Sequence, residues 1–215
     1  TLVFQKGGNI YNEDKTATVF DSKEVVDAFN EWTKFYTDYG LDVQFDFYNR
    51  FRTGEMPIGI AGFGQYNLLD TAAPEIRGMW SMHLIPGTKK ADGTIDRTTA
   101  GSGSAAVMVK GTENKNESWE FISWWTGKEA QSRYGIELEI LMGSASRYDT
   151  ANNEAMELLP WAESELVSLR AQRAFVREVE EIPGGYYTSR NLDNAFRNVV
   201  FNRMNPRESL LEQNI

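Results

Sequence analysis

The sequence FRTGEMPIGIAGFGQY, residues 51–66, decides the fold class of this chain. Residues 56–61 are mostly apolar and predict a short buried strand. The segment Gly62-Phe63-Gly64 then predicts a flexible turn, and a helix is expected from about Gln65 to Ala73, where Pro74 stops it. A strand that leads through a glycine turn into a helix is typical of α/β folds.

The rest of the chain extends this pattern. Two further strands are expected at residues 79–85 and 105–109, and residues 136–142 are compatible with a strand or a loop. Apolar residues at steps of three and four predict helices at about residues 22–39, 47–52, 117–134, 153–159, 161–179 and 192–200, and Asn205-Pro206 opens a last one. We therefore predict an α/β lobe over about residues 1–150 and a helical part over about 151–215.

The ends of the predicted helices carry local signals. Asp21 and Glu24 predict a capping box for the first long helix, and Gly40 predicts its end. Asn205, Pro206 and Glu208 form the clearest helix start in the chain, because an N-cap residue, a first-turn proline and an acidic third residue occur together.

The composition excludes several classes of function. The chain has 22 Lys and Arg against 31 Asp and Glu, a net charge of −9, which disfavours binding to nucleic-acid phosphates. It has no cysteine, which excludes disulfides, thiolate zinc sites and cysteine nucleophiles. Its single histidine, His83, disfavours His-rich metal sites and Ser-His-Asp catalysis. We expect no metal, no cofactor and no catalytic residue, and no stretch approaches the roughly 20 apolar residues of a membrane span.

Aromatic side chains near turns are the strongest functional signal. Aromatic residues make up 13% of the chain. Phe63 and Tyr66 flank a turn at the carboxyl end of a predicted strand, where ligands of α/β sheets collect. Tyr186 and Tyr187 follow Pro-Gly-Gly in a predicted break between helices. Aromatic rings with polar neighbours suit a sugar, whose apolar face stacks on a ring while its hydroxyls take hydrogen bonds. The candidate ligand-binding residues are Phe63, Gln65, Tyr66, Tyr186, Tyr187 and Arg190.

Two other functions fit the same residues. Glu180 or Glu181 beside the aromatic segment would suit the acid or base of a glycan-active enzyme, although carboxylates at a helix end are usually solvated. A helical protein-interaction module, with Tyr186 and Tyr187 contacting a protein, is the other alternative. Each tyrosine also has the simpler interpretation of packing a loop.

Several stretches, in the right order, resemble the C-terminal half of a carbohydrate-type (family 1) extracellular solute-binding protein of an ABC transporter. The resembling stretches are Gly7–Tyr11 with the following helix, Phe51–Gly62, Pro86-Gly87, Ala105–Lys110, Asn114–Ile122, Gly184–Arg190 and Asn205–Leu210. Family members often carry a sugar-stacking tryptophan where this chain has Gly64, so the resemblance implies that Phe63 or Tyr66 takes that role. Residues 143–147 stand where the family commonly has a loop that contains proline.

The resemblance implies a fold and a function. The expected fold is a lobe of the periplasmic-binding-protein-like type II class with additional C-terminal helices. The expected function is reversible binding of an oligosaccharide by lobe closure, without enzymatic activity, for delivery to transporter permease subunits. The expected location is extracellular, as a cell-surface lipoprotein or in the periplasm, with membrane attachment only through an N-terminal anchor outside this chain.

Overall fold

The computed structural model describes residues 1–214, which form two compact units. Unit 1 comprises residues 1–45, 85–102 and 174–214, and unit 2 comprises residues 46–84 and 103–173. In chain order the elements are α1 (Leu2–Gln5), α2 (Lys23–Thr37), α3 (Phe47–Arg52), α4 (Phe63–Ala72), β1 (Thr88–Lys89), β2 (Ile95–Asp96), β3 (Thr99–Gly101), α5 (Lys115–Thr126), α6 (Lys128–Met142), α7 (Asn153–Met156), α8 (Glu163–Arg173), β4 (Val176–Glu178), α9 (Gly185–Val200) and α10 (Pro206–Leu211). Short 3-10 turns occur at Pro74–Ile76 and Ser144–Ser146. The chain is therefore a mixed α/β structure in which helices predominate.

The core of unit 1 lies where α2, α9 and α10 meet. Val25 and Phe29 of α2 are buried there, and the ring of Trp32 stacks on Phe196 of α9 with centroids 4.4 Å apart. The apolar spacing predicted one face of a helix that ends at Tyr39. The structure confirms this face for Val25, Phe29 and Trp32, whereas Tyr39 lies beyond the helix end and is 71% exposed. The complete buried cluster consists of Phe20, Val25, Phe29, Ala195, Phe196, Val199 and Leu210.

The first turn of α2 is capped by Ser22, so the predicted capping box that starts at Asp21 is wrong by one residue. Ser22 has an extended backbone, and its side-chain oxygen accepts a hydrogen bond from the backbone N–H of Val25 at 3.4 Å. At the other end the helix stops at Thr37, and Gly40 has a φ of 69°, the left-handed conformation that favours glycine.

The start of α10 confirms its sequence signal. The side-chain oxygen of Asn205 accepts a hydrogen bond from the backbone N–H of Glu208 at 3.2 Å, and Pro206 is the first helical residue. We expect Asn205→Ala to lower the free energy of unfolding by about 1 kcal/mol, because the first turn loses this acceptor. Urea denaturation measures the change, with the exposed Asn202→Ala as control. Equal effects of the two substitutions would contradict the capping role.

The four strands among residues 1–214 belong to unit 1 and form two separate pairs. β1 and β2 are antiparallel, with Thr88 opposite Asp96. β3 and β4 are parallel, with Thr99 opposite Val176. The helix predicted over residues 161–179 is therefore too long, because α8 ends at Arg173 and the chain continues into β4.

Asp96 ties the β1–β2 ribbon together. Its carboxylate pairs with Lys90 at 2.6 Å and accepts a hydrogen bond from the backbone N–H of Thr98 at 2.9 Å. These groups, Lys90 foremost, lower the pKa of Asp96 to about 2. The carboxylate therefore stabilises the folded state at pH values above about 4, and this contribution disappears as the pH falls through about 2.

We expect the urea midpoint to fall with pH between about 4 and 2 less steeply in Asp96→Asn than in the wild type, because the substitution removes this titration. Denaturation curves at several pH values measure the difference. If the urea midpoints of the wild type and of Asp96→Asn fall equally steeply, Asp96 does not contribute to the loss of stability at low pH.

Unit 2 contains α3 to α8, and the expected helix at residues 47–52 is confirmed. Asp46 caps α3 by accepting a hydrogen bond from the backbone N–H of Asn49 at 3.0 Å. In the core, Gly135 lets α6 approach Leu159, since a Cβ atom at residue 135 would lie 2.6 Å from the Cδ2 of that leucine.

The helix predicted over residues 117–134 is two helices. Gly127 has an extended backbone and separates α5 from α6. α6 continues to Met142, so residues 136–142 are helical and form neither a strand nor a loop. Phe121 and Trp124 on α5 are each 60% exposed, so these apolar positions of the predicted helix do not face inward.

The three apolar segments predicted as strands, residues 56–61, 79–85 and 105–109, form no strand in the structure. Ile58, Met79 and Val107, one from each segment, are 85%, 78% and 78% exposed. A strand needs a neighbour for its backbone hydrogen bonds, and none of these segments pairs with another strand among residues 1–214. The apolar composition of these three segments is therefore not sufficient to predict a strand.

Candidate functional site

The six candidate ligand-binding residues lie at the starts of two helices, one in each unit. Phe63, Gln65 and Tyr66 belong to the first turn of α4 in unit 2. Tyr186, Tyr187 and Arg190 belong to the first two turns of α9 in unit 1.

α4 begins two residues earlier than predicted. Gly62, in an extended conformation, precedes the helix, and its carbonyl accepts a hydrogen bond from the backbone N–H of Gln65 at 3.0 Å. This start places Phe63 and Tyr66 three residues apart within one helix, so their side chains lie on the same face. A Cβ atom added at Gly64 would meet no atom within 4 Å, so no neighbouring segment covers this position of the helix.

Four rings form a cluster in unit 2, which we call the α4 platform: Phe63, Tyr66, Trp80 and Trp161. The rings of Phe63 and Tyr66 are nearly parallel, with centroids 5.8 Å apart and an interplanar angle of 16°. Trp161 meets Phe63 edge to face at 5.5 Å and lies 5.7 Å from Tyr66, and Trp80 meets Tyr66 edge to face at 5.5 Å. Phe63 is half-buried, whereas Tyr66 is only 6% exposed. Phe63 therefore offers more open ring surface than Tyr66.

The hydroxyl of Tyr66 is held from two sides. It donates a hydrogen bond to Glu165 Oε1 at 2.5 Å and accepts one from Arg147 Nη1 at 2.8 Å. Burial, followed by the hydrogen bond to Glu165, raises the pKa of Tyr66. The phenol therefore stays protonated at neutral pH and can donate this hydrogen bond.

Arg147 also forms the most enclosed ion pair of unit 2. Its Nη2 and Nε donate to the carboxylate of Glu139 at 2.8 and 3.2 Å, and the two side chains are 12% and 17% exposed. The hydrogen bonds to Glu139 raise the pKa of Arg147, so the guanidinium stays charged. Its central carbon lies 5.2 Å from the centre of the Trp161 ring, within the range of a cation–π contact.

Buried polar atoms without a hydrogen-bond partner also occur around α4. Among residues 1–214 they include Gln65 Oε1, Asn67 Oδ1 and Trp161 Nε1. These atoms comprise two acceptors and one donor, the complementary groups for hydroxyls, which both donate and accept.

The start of α9 presents two exposed rings. Tyr186 and Tyr187 are 73% and 59% exposed and meet edge to face at 5.7 Å. They were expected in a break between helices, but α9 already begins at Gly185, so this expectation is wrong. Gly184 precedes the helix with a φ of 88°, a conformation that favours glycine. Arg190, also exposed, follows one turn along the same helix.

Unit 1 also contains an apolar cavity of about 380 Å³. Its walls come largely from α1, α2 and α9 and include Phe4, Phe29, Trp32 and Leu192. A smaller cavity, of about 120 Å³, is lined in part by Glu178 and Glu180. Glu178, Glu180 and Glu181 are all exposed, and Glu180 pairs with Lys15 at 3.1 Å.

Residues 1–214 contain neither a candidate membrane span nor a candidate metal site. None of the helices in this range has the length and apolar character to span a bilayer. No group of three or more Asp, Glu or His side chains in the same range is arranged to hold a metal ion.

Two solved structures resemble this chain. The first is an ABC transporter solute-binding protein from Thermotoga lettingae bound with α-D-tagatose, with a TM-score of 0.64 and 17% identity. The second is an ABC substrate-binding protein from Listeria monocytogenes in complex with cycloalternan, with a TM-score of 0.56 and 17% identity. Each comparison covers 99% of this chain and 53% of the other protein. The chain thus has the fold of solute-binding proteins and spans about half the length of these two.

The comparison of sequences gives the family. No curated protein sequence matches the chain. The family model described as bacterial extracellular solute-binding protein matches residues 2–155, well over half of the chain. The chain therefore belongs to the bacterial extracellular solute-binding protein family.

Proposed function

We propose that this chain is part of the substrate-binding component of an ABC importer and that it binds an oligosaccharide reversibly. The observation that carries the proposal is the α4 platform, in which the half-buried Phe63 ring stacks against Tyr66 and the adjacent Gly64 position is uncovered. A ring edge or face of this kind suits the apolar face of a sugar. The family supports a binding role, and both solved structures that share the fold hold a sugar.

Phe63, Gln65 and Tyr66 on α4, and Tyr186, Tyr187 and Arg190 on α9, are the proposed ligand contacts. Phe63 and the two exposed tyrosines of α9 supply ring surface, whereas Gln65 and Arg190 supply a hydrogen-bonding amide and a guanidinium. The proposed binding step is the closure of two lobes over the ligand, with no covalent chemistry. The protein, held at the outer side of the membrane as a lipoprotein or free in the periplasm, would then deliver the bound sugar to the permease subunits of the importer.

Isothermal titration calorimetry of the protein at its natural length tests this function. The titrants are a panel of neutral and acidic oligosaccharides, with peptides and polyamines as the comparison group. We expect saturable heat from at least one sugar. Heat only from peptides or polyamines would contradict carbohydrate binding.

A reducing-sugar assay on the same panel separates binding from hydrolysis. We expect no release of reducing ends, because Glu178, Glu180 and Glu181 are all exposed and Glu180 is already paired with Lys15. A release that Glu180→Gln or Glu181→Gln abolishes would instead support the glycan-active enzyme.

A further inference from the structure

Arg147, in the loop after α6, connects α6 to the α4 platform. One side of its guanidinium binds the carboxylate of Glu139 on α6, and Nη1 binds the hydroxyl of Tyr66 on α4. The backbone carbonyl of Arg147 in turn accepts a hydrogen bond from the side-chain amide of Asn67 at 3.0 Å. The loop after α6 is thus fastened to α4 through both the side chain and the backbone of one residue.

Tyr66 continues this connection to α8. Its hydroxyl donates to Glu165 Oε1, and the other carboxylate oxygen of Glu165 accepts a hydrogen bond from the backbone N–H of Ala162 at 3.1 Å. Glu165 therefore also caps the first turn of α8. Four side chains from three helices and a loop form one continuous series: Glu139, Arg147, Tyr66 and Glu165.

This series fixes the orientation of the Tyr66 ring. The ring is held at its hydroxyl by two charged partners and is contacted on its sides by Phe63, Trp80 and Trp161. Arg147 also lies 5.7 Å from the centre of that ring and 5.2 Å from the ring of Trp161. The enclosed Tyr66 ring exposes only a small part of its surface, and it packs directly against the more exposed ring of Phe63.

We propose that Arg147 is a positioning residue of the sugar site, which holds Tyr66 and, through it, orients Phe63 for stacking. This role rests on the proposed function. Tyr66 then supports the stacking ring of Phe63. A lysine at residue 147 keeps the charge but lacks the planar fork that reaches Glu139 and the hydroxyl of Tyr66 together.

The test compares Arg147→Lys with Arg173→Lys, a matched substitution in the same unit. Arg173 donates to Asp149 at 2.6 Å, and its side chain is 20% exposed. Calorimetry with the oligosaccharide that the wild type binds gives the affinity. We expect Arg147→Lys to weaken binding about fivefold, and Arg173→Lys to change it less than about twofold.

A second variant covers the case in which Arg147→Lys does not fold. Tyr66→Phe removes one oxygen and leaves the Arg147–Glu139 pair intact, and Tyr48→Phe is its control, because the Tyr48 hydroxyl donates to the carbonyl of Ala72 outside the platform. We expect Tyr66→Phe, and not Tyr48→Phe, to weaken sugar binding and to change the near-ultraviolet circular dichroism, since Trp80 and Trp161 contact the Tyr66 ring.

The possible outcomes separate the two proposals. If the wild type binds no sugar, the proposed function fails, and the site role of Arg147 fails with it. If the wild type binds a sugar and the platform variants behave like their controls in both affinity and circular dichroism, only the role of Arg147 is overturned. A loss of affinity confined to the platform variants supports both.

Discussion

Replacing Phe20 with alanine is expected to lower the free energy of unfolding of unit 1 by about 3–5 kcal/mol. Phe20 is completely buried and packs in the cluster formed with Val25, Phe29 and Leu210. The substitution removes the largest fully buried side chain of the described residues and leaves a cavity that rigid helices cannot close. Urea denaturation followed by far-ultraviolet circular dichroism measures the loss.

Phe35→Ala is the control for this prediction. Phe35 lies on α2 in the same unit, but it is 37% exposed and is not part of the buried cluster. We expect its removal to cost less than about 1 kcal/mol. Similar losses for Phe20→Ala and Phe35→Ala would contradict the position assigned to the core.

Replacing Phe63 with alanine is expected to weaken oligosaccharide binding at least about tenfold, equivalent to about 1.4 kcal/mol. The substitution removes the ring that stacks on Tyr66 and meets Trp161, and with it the proposed surface for the sugar. Calorimetric titration of the protein at its natural length gives the affinity. The free energy of unfolding is measured in parallel, so that a folding defect is recognised.

Phe121→Ala is the matched control, because Phe121 also lies on a helix of unit 2 and is 60% exposed. Its ring contacts Trp124 on α5 and takes no part in the α4 platform. We expect an unchanged affinity. If Phe121→Ala weakens binding as much as Phe63→Ala does, the platform is not the sugar site.

The helices could be predicted from the sequence because their signals are local. Asn205-Pro206 with Glu208 gave the start of α10, and the bounds of α3 were correct to the residue. The break at Gly127 was not predicted, because helices tolerate an internal glycine and only its backbone conformation shows that a helix ends there.

The prediction of the strands was wrong for a different reason. β3 and β4 pair across more than 70 residues of chain, and a pairing at this distance has no local sequence signal.

Only the part of the candidate site that lies within one turn of α4 could be predicted from the sequence. The spacing of Phe63 and Tyr66 brought their rings together, as their position on α4 requires. Arg147 and Glu165 were missed, since they lie 81 and 99 residues from Tyr66 in sequence and carry no motif. Trp161, next to Pro160, was interpreted only as a helix start. The inclusion of Trp161 in the platform depends on packing that no local pattern encodes.

The resemblance to solute-binding proteins was more informative than any single motif. Each quoted stretch is short and common, but their order matches that of the family, and the match to residues 2–155 confirms the assignment. The predicted fold class is likewise confirmed by the two solved structures. The six ligand contacts stay predictions.

Equilibrium dialysis of the protein at its natural length against a mixture of oligosaccharides, followed by mass spectrometry of both chambers, tests the central claim most directly. We predict that at least one oligosaccharide is enriched on the protein side and is recovered there with its mass unchanged. Enrichment of no sugar, or recovery of shortened fragments, would contradict a protein that holds a carbohydrate and releases it intact.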